Sequence, residues 1–145
     1  MKYLLLIIFG LGLGTFSSQA QTKNCSSEYD SLLKRKVYTF VDQMPEYPTG
    51  EAEMVAFFAK NLRYPDHQES VQGRVSLVFI IMEDGRIKGE RIPHKKQNEL
   101  TPIDKEALKV LRKMPAWKAG TCGGKKVPVK FSLPISCLMP IKEQP

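Results

Sequence analysis

Gly73-Arg-Val-Ser-Leu-Val-Phe-Ile-Ile-Met-Glu-Asp-Gly85, taken together with Lys126-Val-Pro-Val-Lys-Phe-Ser-Leu-Pro-Ile135, decides the fold. The first stretch is rich in β-branched and aromatic residues and ends in an Asp-Gly turn signal. Val75, Leu77, Phe79 and Ile81 line one face and Val78, Ile80 and Met82 the other. A strand apolar on both faces belongs in the covered middle of a sheet. The second stretch alternates strictly. Val127, Val129, Phe131, Leu133 and Ile135 share one face, and Lys126, Pro128, Lys130, Ser132 and Pro134 the other. Proline has no N–H to give to a ladder, so a strand with two prolines is expected at a sheet edge. Successive N–H groups point to opposite edges. Pro128, Lys130, Ser132 and Pro134 therefore share one edge, expected to be the free one, with Lys130 and Ser132 as its donors. A free edge is a template for another chain.

The segments on either side complete the pattern. Asp84-Gly85 predicts a tight hairpin, with a return strand over Arg86 to Ile92. Met54, Val55, Phe58 and Leu62 recur at helical spacing and predict a helix from Glu51 to Leu62, capped at Thr49 or Gly50. Thr101-Pro102-Ile103-Asp104 predicts a second helix start: a threonine cap, proline in the first turn, and an acid three residues on. Its stripe is Ile103, Ala107, Leu108, Leu111 and Met114, and Pro115 ends it. Asp66 to Gln72 reads as a short helical stretch or loop, and Val37 to Val41 as a short strand. The order helix, strand, strand, helix, strand predicts an α+β two-layer sandwich: a three-stranded antiparallel sheet with two helices on one face.

The 145 residues fit one domain. Met1-Lys2, the apolar run Leu4 to Phe16, and Ser18-Gln19-Ala20 read as a signal peptide over residues 1–20, cleaved after Ala20. Thirteen helical residues reach about 20 Å, short of the ~30 Å of a bilayer core. An uncleaved anchor is the alternative. Residues 21–36 read as a linker or loosely docked segment, 37–137 as the domain, and 138–145 as a tail. Without residues 1–20, which hold one lysine and no acid, 21 basic face 15 acidic residues, a balance of +6. The clusters Lys34-Arg35-Lys36, Lys95-Lys96 and Lys125-Lys126 interleave with no aromatics, so they read as solvated surface and not as a nucleic-acid site.

Chemistry finds little footing in this sequence. His67 and His94 are the only histidines and lack metal-ligand spacing. Cys122, in a Gly-rich loop beside lysines, is the one candidate nucleophile, with no acid or histidine beside it. Gly120 to Gly124 lacks a phosphate-loop pattern and precedes a strand. Trp117 is expected to pack on the core near the second helix. The three cysteines allow one pair. Cys122 and Cys137 flank the last strand, ~45 Å apart if it is continuous, so Cys25 pairs with one of them or all three are free. No catalytic residue, metal site or cofactor is expected.

Several motifs together resemble the C-terminal domain of TonB. They are Met44-Pro45-Glu46-Tyr47-Pro48, Tyr64-Pro65, Gly73-Arg74-Val75 through Asp84-Gly85-Arg86-Ile87, Asp104-Lys105-Glu106-Ala107-Leu108, Met114 to Gly120, and Val127 to Ile135. The resemblance spans about Val37 to Cys137 and its fold agrees with the one expected above. It implies a periplasmic domain that grips the TonB box of outer-membrane receptors by strand addition, in support of TonB-dependent transmembrane transport. The residues it implies for the grip are Lys126, Val127, Pro128, Val129, Lys130, Phe131, Ser132 and Leu133, with Asn61, Leu62 and Arg63 ahead of the Tyr-Pro motif. A full transducer carries a long Pro-rich spacer. Here about 16 residues, none of them proline, separate Ala20 from Val37, reaching ~55 Å at most. The alternative is a stand-alone periplasmic adaptor or envelope-binding module without energy transduction. A homodimer through the edge strand, and membrane contact through an uncleaved N-terminal segment, are the other partnerships expected.

Overall fold

The two deciding stretches become a pair of nine-residue strands, Gly73–Ile81 and Val129–Cys137. They run antiparallel in unbroken register from Gly73 opposite Cys137 to Ile81 opposite Val129. This computed structural model describes residues 24–63 and 73–137. Its elements are β1 (Ser26–Asp30), β2 (Arg35–Phe40), α1 (Glu51–Asn61), β3 (Gly73–Ile81), β4 (Ile87–Arg91), a 3-10 turn at Gln97–Glu99, α2 (Pro102–Arg112), β5 (Thr121–Cys122), β6 (Lys125–Lys126) and β7 (Val129–Cys137). The proposed signal peptide, the Asp66 to Gln72 segment and the tail lie outside the described residues.

The helix face of the sheet carries the main core. Val75, Leu77, Phe79 and Ile81 of β3 pack with Phe131, Leu133 and Ile135 of β7 against Met54 and Phe58 of α1 and Ile103, Ala107, Leu108 and Leu111 of α2. Leu77, Phe79 and Ile81 are fully buried, each stabilising the fold by about 1.5–3 kcal/mol. The start of α2 forms as its sequence dictates. The Asp104 N–H donates to the Thr101 hydroxyl at 3.3 Å, and the Thr101 N–H donates to the Asp104 carboxylate at 2.9 Å. Lys95 adds an ammonium at 2.6 Å from that carboxylate. Burial disfavours the Asp104 charge, but the Lys95 and Thr101 hydrogen bonds and the Lys95 charge outweigh it, and the pKa falls below its ordinary 3.8.

The turn after β3 is a three-residue loop, Glu83-Asp84-Gly85, with the Met82 N–H donating to the Arg86 carbonyl. Gly85 has φ 82, and a Cβ there would lie 2.0 Å from the Trp117 carbonyl oxygen. Only glycine allows both the conformation and the approach. The Trp117 N–H in turn donates to the Gly85 carbonyl at 2.8 Å.

The sheet itself differs from the expected three antiparallel strands. It has five, in the order β1-β2-β7-β3-β4, and β2 meets β7 in parallel. The extra pair is an N-terminal hairpin, and β1 lies inside the stretch expected to be a linker. Its residues are polar and mostly exposed, so no apolar alternation announces a strand. Tyr38 bridges Val129. From there the hairpin crosses the back of the sheet, the face away from the helices. Glu28 meets Lys130 of β7 at 2.7 Å, Asp30 meets Arg91 of β4 at 2.7 Å, Leu33 sits against Gly89, and Arg35 pairs with Glu83. Ile80, on that back face opposite Lys130 in the register, is fully buried.

A bulge makes the Asp30 contact geometrically possible. Ile80 pairs with Lys88 but Val78 with Arg91, so β4 holds one extra residue there, at Gly89 with φ 64. The extra residue turns Arg91 to the back face. Asp30, 2% exposed, also accepts the Leu32 and Leu33 N–H groups at 3.1 and 2.9 Å. Burial opposes its charge, yet Leu33, Arg91 and Leu32 together hold its pKa below 3.8. Finally, Cys25 and Cys122 form a disulfide, Cα–Cα 6.2 Å, fastening the start of β1 to the β5–β6 hairpin.

Candidate functional site

The outer edge of β7 divides into a covered and an open part. The Tyr38 N–H donates to the Pro128 carbonyl at 2.8 Å, so the polar groups of Pro128 point outward, away from β3. Peptide groups alternate along a strand. Lys130, Ser132, Pro134 and Ser136 therefore face the same way. The register with β3 is continuous to Cys137, so no bulge reverses this direction. Pro128 and Pro134 lie where a missing donor leaves the β3 ladder whole. The Tyr38–Val129 bridge turns the Lys130 N–H toward the Tyr38 carbonyl. Lys130 is thus not a free donor, contrary to the sequence expectation, because β2 reaches it first. Beyond Lys130 no described strand pairs with this edge. Its open groups are the Lys130 carbonyl, the Ser132 N–H and carbonyl, the Pro134 carbonyl, and those of Ser136.

An apolar groove runs along the helix side of the open edge. One part, about 740 Å³, is lined by Tyr47, Met54, Trp117, Phe131 and Leu133 among others. A second part, about 330 Å³, continues past Met54, Phe58, Leu62, Leu133 and Ile135. Its floor is aromatic: Trp117 lies 5.2 Å from Phe131, 5.5 Å from Tyr47 and 5.8 Å from Phe79, ring centre to ring centre. The Trp117 indole nitrogen is buried without a partner among the described residues. The exposed pair Glu46–Lys118, 3.2 Å apart, stands at the Tyr47 end.

The residues expected to form the grip do not all come together. Phe131, Ser132 and Leu133 lie on the open edge and the groove. Pro128, Val129 and Lys130 lie under the β2 bridge, with Val129 fully buried. Lys126 belongs to β6, a separate two-stranded hairpin turned at Gly123-Gly124, and Val127 bonds the Gly120 carbonyl at 3.0 Å. These two are not part of the long strand because the double-glycine turn draws Lys126 back onto Thr121. Leu62 reaches the far end of the groove beside Leu133 and Ile135. Asn61 turns its amide onto the Phe57 carbonyl of its own helix at 2.8 Å, and Arg63 is exposed. Tyr47 and Met54 line the groove although neither is expected there from the sequence. The Met54 helix stripe was visible in the sequence, but that it would border a strand edge was not.

Cys122, the candidate nucleophile of the sequence, has its sulfur bonded to Cys25. Asp42 lies close enough to complete a three-ligand cluster with these two cysteines, but the disulfide leaves no thiolate to hold a metal.

An open strand edge beside an apolar groove is the geometry of a protein-interaction domain. A family model described as the Gram-negative bacterial TonB protein C-terminal matches residues 60–136, just over half of the chain, and the chain belongs to this family. Comparison with curated proteins and with solved structures gave no match. The family is one of non-enzymatic domains for transport and protein interaction, associated with the cell envelope and with outer-membrane receptors. No helix among the described residues is long and apolar enough to cross a membrane.

Proposed function

We propose that the domain is exported to the periplasm and binds the TonB box of an outer-membrane receptor by adding it as a strand to the Phe131–Ser136 edge of β7, in support of TonB-dependent transport. The observation that carries this reading is the open outer edge next to the groove, in a chain of the TonB C-terminal family. A visiting strand would use about five backbone groups, at ~0.5–1.5 kcal/mol net each. Ordering the peptide offsets part of that gain. Binding is therefore weak to moderate, with groove side chains supplying preference. Ser132→Pro removes the central donor and puts a ring in the path of the visitor. Ser132→Ala keeps the donor. In calorimetric titration with a TonB-box peptide, Ser132→Ala should bind like wild type and Ser132→Pro at least tenfold more weakly, with both variants folded. Equal binding by a folded Ser132→Pro variant would refute the mechanism.

A second reading is a periplasmic adaptor that binds without transducing force. Mass spectrometry of the mature protein should find Gln21, or its cyclised form, at the N-terminus. An intact Met1 in membrane fractions would revive the anchored transducer.

A further inference from the structure

We propose that the β1–β2 hairpin is a fixed end-stop on the acceptor edge. It confines any partner strand to Phe131–Ser136 and so sets the partner's register and the length over which it pairs. The inference rests on the strand-addition reading above and concerns residues outside the family match, which begins at residue 60.

The hairpin already does to β7 what a partner would do. Tyr38 gives its N–H to Pro128 and receives that of Lys130, a strand pairing one bridge long. It stops there for a structural reason. After Phe40 the chain leaves β7 for the β5–β6 hairpin. Gln43 and Thr121 exchange both backbone hydrogen bonds, at 3.2 and 2.9 Å. Gly120 lets this happen. A Cβ there would lie 2.7 Å from the Val129 side chain and 3.1 Å from the Gln43 carbonyl oxygen. Val41, at the point of departure, is buried, 2% exposed. Phe40, the last residue of β2 and 54% exposed, stands at the boundary between covered and open edge.

The stop does not yield readily to a visitor. A partner that displaced Tyr38 would gain two backbone hydrogen bonds and lose the same two. It would also have to lift a hairpin fastened by the Cys25–Cys122 disulfide and by the Glu28–Lys130, Asp30–Arg91 and Arg35–Glu83 pairs. An exchange with no net gain in hydrogen bonds cannot drive that. The partner therefore takes the open groups and ends at Phe40. A box residue beyond that point leaves the sheet and contributes no ladder bond.

Amide hydrogen exchange followed by NMR tests this on the intact mature protein. The probes are synthetic six-residue peptides from the TonB box of a receptor encoded in the same genome, then ten-residue versions extended at either end. The Tyr38 and Lys130 amides should exchange slowly in the free protein and stay slow with every peptide. Ser132 should become slow only when peptide is bound. An extension directed toward Phe40 should change affinity by less than twofold. Fast exchange at Lys130 in the free protein would overturn the end-stop. So would an extended peptide that binds tenfold tighter while Tyr38 exchange accelerates, and in that case strand addition would stand. If no peptide protects Ser132, strand addition itself fails and the end-stop with it.

Discussion

Replacing Asp30 by asparagine should weaken the fold by about 2 kcal/mol at neutral pH, an effect that disappears in acid. Asparagine keeps an acceptor oxygen for the Leu32 and Leu33 N–H groups, so the turn between β1 and β2 survives. What it loses is the charge facing Arg91 at 2.7 Å. Hydrogen bonds to charged groups contribute about 1.5–3 kcal/mol. Arg91 is 32% exposed and also donates to the Gly89 carbonyl, so the abandoned guanidinium is partly compensated and the lower half of that range applies. Asp30→Ala removes the acceptor as well and should cost about 3–4 kcal/mol. Urea unfolding is the assay, followed by the fluorescence of Trp117, the only tryptophan. With a urea slope of about 1–2 kcal/mol per molar, the asparagine variant should shift the midpoint by roughly 1–2 M. The pH dependence carries a definite sign. The folded-state pKa of Asp30 lies below the ordinary 3.8, so its contribution is complete above about pH 5. It is lost as pH falls below 3.8 and through the folded value. The gap between wild type and Asp30→Asn should be constant from pH 5 to 7 and close below pH 3.8. A gap under 0.5 kcal/mol at pH 7, or one that persists unchanged in acid, would refute the reasoning.

Unfolding experiments check three further expectations, the first two in urea and the third on heating. Replacing Cys25 and Cys122 by serine opens a link spanning 97 residues; chain entropy sets the loss at up to about 4.7 kcal/mol, and reduction of wild type should reproduce it. Gly85→Ala should cost about 2–4 kcal/mol, because φ 82 strains the backbone and the new methyl group meets the Trp117 carbonyl; a neutral result would mean that the loop and the Trp117 segment separate at no cost. Phe131→Asp sets a carboxylate against Trp117 and Phe79 and should destabilise the domain by more than about 3 kcal/mol, seen as a lost or much lowered thermal transition in circular dichroism.

The legible parts of the sequence were those whose stability comes from apolar periodicity or local capping. β3 announced itself by being apolar on both faces, α2 by Thr101, Pro102 and Asp104, and α1 by the Met54, Phe58 and Leu62 stripe. Pro128, just ahead of β7, and Pro134 within it gave the direction of the outer edge, since both fit only where no donor is needed. The β1–β2 hairpin was not legible as a unit. Val37 to Val41 reads as a strand on its own, but Ser26-Ser27-Glu28-Tyr29-Asp30 has no apolar face. Its place is fixed by partners far along the chain: Lys130, Arg91 and Cys122. Such contacts depend on the finished fold and leave no local signal. The open edge was therefore expected to run from Lys126, whereas the hairpin and the Gly123-Gly124 turn remove its first half.

The family match covers residues 60–136, which hold β3, β4, α2 and nearly all of β7, the strand with the open edge and most of the core. The other wall of the groove comes from before that segment: Tyr47, Met54 and Phe58. So does the hairpin that covers the back of β3 and the start of the β7 edge. Strand addition alone selects weakly, because backbone hydrogen bonds are the same for every peptide. What discriminates between peptides is the shape of the groove and the length of the open edge. In this chain residues ahead of the family match supply one wall of the first and the boundary of the second. On the proposed function, the general ability to accept a strand would belong to the matched segment, and the choice among strands would depend on the hairpin and α1 folding onto it. Variants at the exposed Phe40 should accordingly change peptide preference in titration while leaving the β3–β7 ladder intact. Variants at Leu77 or Phe79 should lower stability and binding together.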